Sequence, residues 1–141
     1  MTIVSDKNKS LKVIADSNAL FIPLQFKVDI FVELGKLLNR SFELVLISPV
    51  KEELERLAHT GPPKMRRNAA FALQIAKKCT YSKVPKKAKE RTDDAIIRIS
   101  RSLNAPVFTN DKQLKRKLRD ISMPVIYLRE KSRLELDGLI S

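Results

Sequence analysis

Four acidic side chains stand where short apolar runs give way to polar or helical sequence: Asp16, Glu53, Asp93 and Asp111. Asp16 ends the run Leu11-Lys12-Val13-Ile14-Ala15, and Glu53 lies in the first turns of the segment after Phe42–Ile47. Asp93 opens a helical stretch, and Asp111 closes Pro106-Val107-Phe108-Thr109-Asn110. Carboxylates so far apart in the chain meet if the strands before them end on one edge of a parallel sheet. There they would form an all-oxygen nest for a hard divalent cation, Mg2+ or Mn2+, with water in the remaining positions. A metal in such a nest lowers the pKa of bound water and offsets charge on phosphoryl oxygens. Phosphodiester hydrolysis then needs neither a histidine nor a nucleophilic side chain.

Other chemistries have few residues to work with. Cys79 and His59 are the only residues of their types, which excludes an intrachain disulfide and an intrachain zinc site built from Cys and His. Ser-His-Asp and Cys-His catalysis would depend on a chance pairing of these single residues. Lys and Arg outnumber Asp and Glu by 28 to 16. The excess is uneven: residues 1–60 hold eight basic and eight acidic residues, whereas residues 61–141 hold twenty and eight. A basic second part facing a polyanion is the simplest expectation; a Lys-rich solubilising surface is the alternative. The chain has no run of about twenty apolar residues and no signal peptide, so a soluble, cytoplasmic protein is expected.

The elements that must position the acids follow from spacing. At 141 residues the chain is expected to form one domain, with residues 1–9 as a flexible tail. Strands are predicted at 11–16, 42–47, 106–109 and 124–128, the last strand of the fold. Helices are predicted over 28–39, from Ser48-Pro49, over 64–78, over 93–103 with Thr92 as cap, and over 111–120. Gly61-Pro62-Pro63 separates two helices, and 79–91 reads as irregular and basic. Such alternation indicates an α/β fold around a mainly parallel sheet.

Helical geometry chooses among neighbouring acids. Around the stripe Val50, Leu54 and Leu57, Glu53 lies on the flank, while Glu52 and Glu55 point away. Around Ala95, Ile96, Ile99 and Leu103, Asp93 lies at the margin and Asp94 nearly opposite. Two acids in a first turn also complement the helix dipole, which would account for this pair and for neither Asp16 nor Asp111.

Four motifs together resemble the PIN-domain ribonucleases over roughly 11–128: Val13-Ile14-Ala15-Asp16-Ser17-Asn18, Ser48-Pro49-Val50-Lys51-Glu52-Glu53-Leu54, Thr92-Asp93-Asp94-Ala95-Ile96, and Phe108-Thr109-Asn110-Asp111-Lys112-Gln113-Leu114. Each motif is weak alone; the order and spacing of all four are specific. The resemblance implies a Rossmann-like three-layer PIN fold and metal-dependent endonucleolytic cleavage of single-stranded RNA. It carries Asp16, Glu53, Asp93 and Asp111 over as catalytic, Mg2+- or Mn2+-binding residues. The stretch from Asp111 to Arg119 with Met123–Leu128 looks closer to a branch of archaeal PIN proteins and eukaryotic PIN nucleases of small-subunit rRNA maturation. The toxin half of a VapBC toxin–antitoxin pair fits equally, so the implied partner is an antitoxin or a ribosome-assembly factor. A receiver domain would need adjacent acids where Ser17 and Asn18 follow Asp16, and a haloacid-dehalogenase-type phosphatase would need Asp in place of Asn18. A catalytically inactive RNA-binding PIN module remains the alternative.

RNA is expected to meet Lys112, Lys115, Arg116 and Arg119, a stripe at helical spacing opposite Leu114, Leu118 and Ile121, and the loop carrying Lys86 and Lys87. A solvated helix surface would give the same stripe. With few aromatic residues nearby, contacts to the phosphate backbone are expected over base stacking. Met65, Ala69, Ala70, Phe71, Ala72, Leu73, Ile75 and Ala76 surround most of one helix axis. A helix apolar nearly all round needs cover on two sides, and a homodimer through it is the expectation. Cover by the helix from Pro49, or by the segment after Arg129, is the rival within one chain.

Overall fold

The computed structural model describes residues 10–140, and the predicted tail, 1–9, lies outside them. The described residues form a six-stranded sheet in the order β3-β2-β1-β4-β5-β6. Its strands are β1 (Leu11–Ala15), β2 (Phe42–Ile47), β3 (Thr80–Ser82), β4 (Val107–Phe108), β5 (Val125–Arg129) and β6 (Arg133–Asp137). All neighbours are parallel except β5 and β6. The helices are α1 (Ser17–Phe26), α2 (Ile30–Leu38), α3 (Ser48–Thr60), α4 (Pro63–Ala76), α5 (Thr92–Leu103) and α6 (Lys112–Asp120). This is the expected three-layer α/β fold with a mainly parallel sheet. Val13, Ile14 and Ala15 are each 0% exposed. Successive strand residues point to opposite faces, so both faces of β1 are covered, and unbroken apolar runs are what such strands require.

From β1 the chain steps through β2 to β3 on one side, then returns to place β4 and β5 on the other. The order therefore reverses between β1 and β4, where neighbouring helices leave a crevice above the strand ends. Asp16 follows β1, and Thr109-Asn110-Asp111 follows β4.

Several elements differ from the sequence expectation. Helix α1 was not anticipated, because Pro23 lies inside it and its residues are too uniformly apolar to show a face. Ala19, Leu20 and Ile22 are buried in the core. Strand β3 occupies part of the segment read as irregular, since a three-residue edge strand is too short to show alternation. Strand β6 extends the sheet past the predicted last strand. Its tight turn has positive φ at Glu130 and Lys131 (54° and 62°), positions where Asn-Gly would have signalled a hairpin. The caps of α3 and α5 also shift by one residue, to Ile47 and Arg91. Ser48 is already helical, and its hydroxyl accepts the Val84 N–H at 3.0 Å, tying down the loop after β3. Ile121 is 40% exposed and does not join Leu114 and Leu118 in the core.

Helix α4 packs against α1 and α3 of the same chain. The turn before it closes tightly enough that a Cβ on Gly61 would lie 2.8 Å from the Leu57 carbonyl oxygen. Ala69, Ala72 and Ala76 fill this contact, their small side chains allowing close approach, while Met65 and Phe71 stay 37% and 39% exposed. The cover within the chain comes from the helix at Pro49, α3, one of the two intrachain alternatives expected, joined by α1, which the sequence does not reveal. None of the helices among the described residues is long and apolar enough to cross a membrane.

Leu118 is fully buried and fastens α6 to the sheet. Leu118→Ala should lower stability by about 2–5 kcal/mol, read as a fall in the urea midpoint. A midpoint within error of the parent would contradict the packing described.

Candidate acidic site

Asp16, 7% exposed, sits just beyond β1 and starts α1. Its Oδ1 accepts the Ser17 N–H at 2.8 Å. Its Oδ2 accepts the Thr109 hydroxyl at 2.7 Å and the Asn18 amide at 3.0 Å. Burial pushes its pKa above the ordinary 3.8, opposed by the Thr109 and Ser17 bonds and reinforced by the charges of Glu53 and Asp111.

The other acids reach the same place from separate elements. Glu53 is half-buried on α3 and accepts the Ser17 hydroxyl at 2.8 Å, whereas Glu52 and Glu55 are exposed. Asp111 caps α6 by accepting the Gln113 and Leu114 N–H groups at 2.9 and 3.2 Å. Its own N–H donates to the Thr109 hydroxyl at 3.0 Å, so that hydroxyl joins Asp111 to Asp16. Asp93, half-buried where Asp94 is exposed, uses Oδ1 on the Asp94 N–H and Oδ2 on Lys117 Nζ at 3.3 Å. A polar pocket of about 380 Å³ is lined by Asp16, Glu53, Asp93 and Asp111 together, with Arg91 and Gln113 at its margin. Among the described residues, no group of three His, Cys, Asp or Glu side chains is drawn close enough to hold a metal ion directly.

The predicted basic residues fall on two sides. Lys86 and Lys87 line a groove of about 360 Å³ that shares Glu53 and Thr92 with the acidic pocket. Lys86 pairs with Glu52 at 3.1 Å. The loop here is held by Arg98, which donates to both Glu90 oxygens at 3.0 and 2.9 Å and to the Pro85 carbonyl at 2.8 Å. On the other side, Lys112 and Lys115 line a groove with Thr109, Asn110 and Tyr127. Lys115 Nζ lies 3.6 Å from the Tyr127 ring centre and 3.6 Å from Asp137, which also holds Arg119 at 3.2 Å. Arg116 is exposed. The stripe is thus partly neutralised by β6, a strand the sequence did not reveal.

Sequence reasoning passed over Thr109, Asn18 and Asn110. Asn18 Oδ1 accepts the Asn110 N–H at 2.9 Å, and Asn110 Oδ1 accepts the Leu128 N–H at 2.7 Å, linking α1, the loop after β4 and β5. The signal for them in the sequence is a run of polar residues at each of two strand ends, Asp16-Ser17-Asn18 and Thr109-Asn110-Asp111, in which a hydroxyl and amides flank the acids. Cys79 is half-buried and burial pushes its thiol up to about 11, which silences it as a nucleophile near neutral pH.

A carboxyl with a raised folded-state pKa binds its proton more tightly folded than unfolded. Its contribution to metal-free stability is therefore lost as pH rises through the interval above 3.8. In chelator, the stability of Asp16→Asn minus that of the parent should grow with pH across that interval in urea titrations. A difference that shrinks with rising pH would reverse the sign argued here.

A PIN-like domain family model matches residues 13–131. Ribonuclease VapC4 of Methanocaldococcus jannaschii is 36% identical over 130 residues, covering 92% of this chain and 98% of that protein. Ribonuclease VapC9 of Archaeoglobus fulgidus is 31% identical over 139 residues, covering 96% and 98%. The structure of the PIN domain endonuclease Utp24 is similar with a TM-score of 0.75 at 28% identity, over 92% of this chain and 93% of that one. A domain of a functionally unknown M. jannaschii protein has the same fold, with a TM-score of 0.63 at 16% identity over 94% and 100%. With a family model matched across most of its length and two VapC ribonucleases aligned nearly end to end, the chain belongs to the PIN-domain family.

Proposed function

We propose that this protein is a metal-dependent endoribonuclease that hydrolyses phosphodiester bonds in single-stranded RNA. The observation that carries the reading is the meeting of Asp16, Glu53, Asp93 and Asp111, from four distant segments, around one pocket at the reversal between β1 and β4. Two relatives named as ribonucleases and one solved PIN endonuclease support it.

The donor set fits Mg2+ or Mn2+. All four side chains offer hard oxygens, and the charge on buried Asp16 is opposed by Glu53 and Asp111, a repulsion that a cation relieves. Asp16, Glu53, Asp93 and Asp111 are the residues that would hold the ion, and water would complete its shell. When bound, the metal supplies an acidified water and stabilises charge on the phosphoryl oxygens. The chain itself positions the acids: Thr109 and Asn18 fix Asp16, Ser17 fixes Glu53, and Asp111 is held as the cap of α6. Lys86 and Lys87 on one side, and Lys112, Lys115, Arg116 and Arg119 on the other, contact the RNA backbone on either side of the pocket.

Asp16→Asn should reduce cleavage of single-stranded RNA by at least about a hundredfold, beyond the usual cost of losing an outer-shell partner. RNA affinity should stay within about threefold, since the charged contacts that dominate it lie elsewhere. Activity should vanish in EDTA and return with Mg2+ or Mn2+. Cleavage that persists in chelator would overturn the mechanism. The engagement of Asp93 by Lys117 favours a second reading, an inactive RNA-binding module, and binding without cleavage by the parent protein would establish it. Sequencing the RNA ends made by the parent and by Asp16→Asn separates an rRNA-maturation role from a VapC-type toxin role with an antitoxin partner.

The reading includes a homodimer through the part of α4 left exposed at Met65 and Phe71. Light scattering at tens of micromolar should give a dimer that Phe71→Glu dissociates; a monomer unchanged by that substitution would remove the assembly.

A further inference from the structure

The cations closest to the acids are not those of the stripe that faces Tyr127 and β6. Arg91 lines the acidic pocket, and its Nε lies 3.7 Å from Asp93 Oδ1. Lys117 Nζ lies 3.3 Å from Asp93 Oδ2. On α6, Gln113 lines the pocket and Lys117 stands one turn further along the same face. Lys115 and Arg119 lie on another face and are engaged by Asp137.

Charge makes this placement consequential. Four carboxylates line the pocket, and one divalent ion offsets half of their charge. A phosphodiester entering next would meet a site that is still negative, and such repulsion is strong at these distances. Two side-chain cations at the rim restore balance where the phosphate must sit. We infer that Arg91 and Lys117 bind the phosphoryl group at the bond to be cleaved, leaving Asp93 when phosphate arrives, while the flanking lysines hold neighbouring nucleotides. This inference rests on the nuclease reading of the pocket and assigns it two further substrate-contacting residues. Arg91 and Lys117 are 80% and 51% exposed, so their reach is not locked by packing. Exposed ion pairs of this kind contribute little to stability, which leaves both cations free to exchange partners.

The test is titration of inorganic phosphate into the full-length protein at saturating Mn2+, followed by calorimetry. Lys117→Met and Arg91→Met should each weaken phosphate about tenfold, the effect of losing one contact to a charged group. Lys36→Met removes a charge on α2, 72% exposed and paired with Glu33, and should leave phosphate affinity within about twofold. Lys117→Arg should retain most of it. In parallel, kcat on single-stranded RNA should fall in the two Met variants, with RNA affinity in chelator nearly unchanged. Phosphate affinity unaltered in both variants overturns the inference, as does a parent protein that binds no phosphate. A loss of Mn2+ affinity with phosphate affinity intact would reduce Lys117 to a partner of Asp93, and also overturns it. If the phosphate pattern holds while no RNA is cleaved, Arg91 and Lys117 form a phosphate site, their role at a bond to be cleaved is overturned, and the nuclease reading is what has failed.

Discussion

Asp16 is a carboxylate at the end of a fully covered strand, and the hydrogen bonds around it hold the acidic pocket together. Burial opposes its charge, so the fold supplies three donors: the Ser17 N–H, the Thr109 hydroxyl and the Asn18 amide. Each donor also serves another part of the site. Thr109 accepts from the Asp111 N–H, Asn18 accepts from the Asn110 N–H, and the Ser17 hydroxyl donates to Glu53. Satisfying one buried anion thereby fixes two more acids. Among the described residues no buried side-chain nitrogen or oxygen lacks a hydrogen-bond partner, as a low-dielectric network requires.

The same bonds reinforce a short sheet junction. β1 and β4 pair through only Ile14 with Val107 and Ala15 with Phe108. The Asp16 N–H extends the ladder to the Phe108 carbonyl at 3.0 Å, and the Thr109 contact continues it through side chains. The crevice of a parallel sheet with reversed strand order opens at this junction. Packing, sheet continuity and site geometry meet in the residues between Ala15 and Asn18 and between Phe108 and Asp111.

An acidic pocket in a chain with net charge +12 creates a steep local field. Groups around it divide the positive charge by distance. Arg91 lines the pocket, Lys117 pairs with Asp93 of its lining, and Lys86, Lys87, Lys112 and Lys115 line grooves beside it. Distant cations draw a polyanion in by a long-range potential, whereas those at the rim act at contact range. Asp137 limits the second group by holding Lys115 and Arg119.

The amino-acid sequence by itself determined the alternation of strands and helices and the choice among neighbouring acids. Apolar runs mark doubly covered strands, and a helix turns one acid toward its buried face and its neighbour to solvent. Glu53 and Asp93 are half-buried while Glu52, Glu55 and Asp94 are exposed, as the angular positions required. Local pattern could not reveal α1, whose mainly apolar residues and internal Pro23 show no helical face, or β3 and β6, which depend on pairing partners elsewhere in the chain. Nor could it assign Ser48 to Val84, Thr109 to Asp16, or Asp137 to Lys115 and Arg119. Those choices join residues from 18 to 93 positions apart, and a hydroxyl or carboxylate carries no sequence mark of which distant group will satisfy it. Tertiary structure decided them, because burial leaves a polar atom only the partners that the completed sheet and its helices bring within reach.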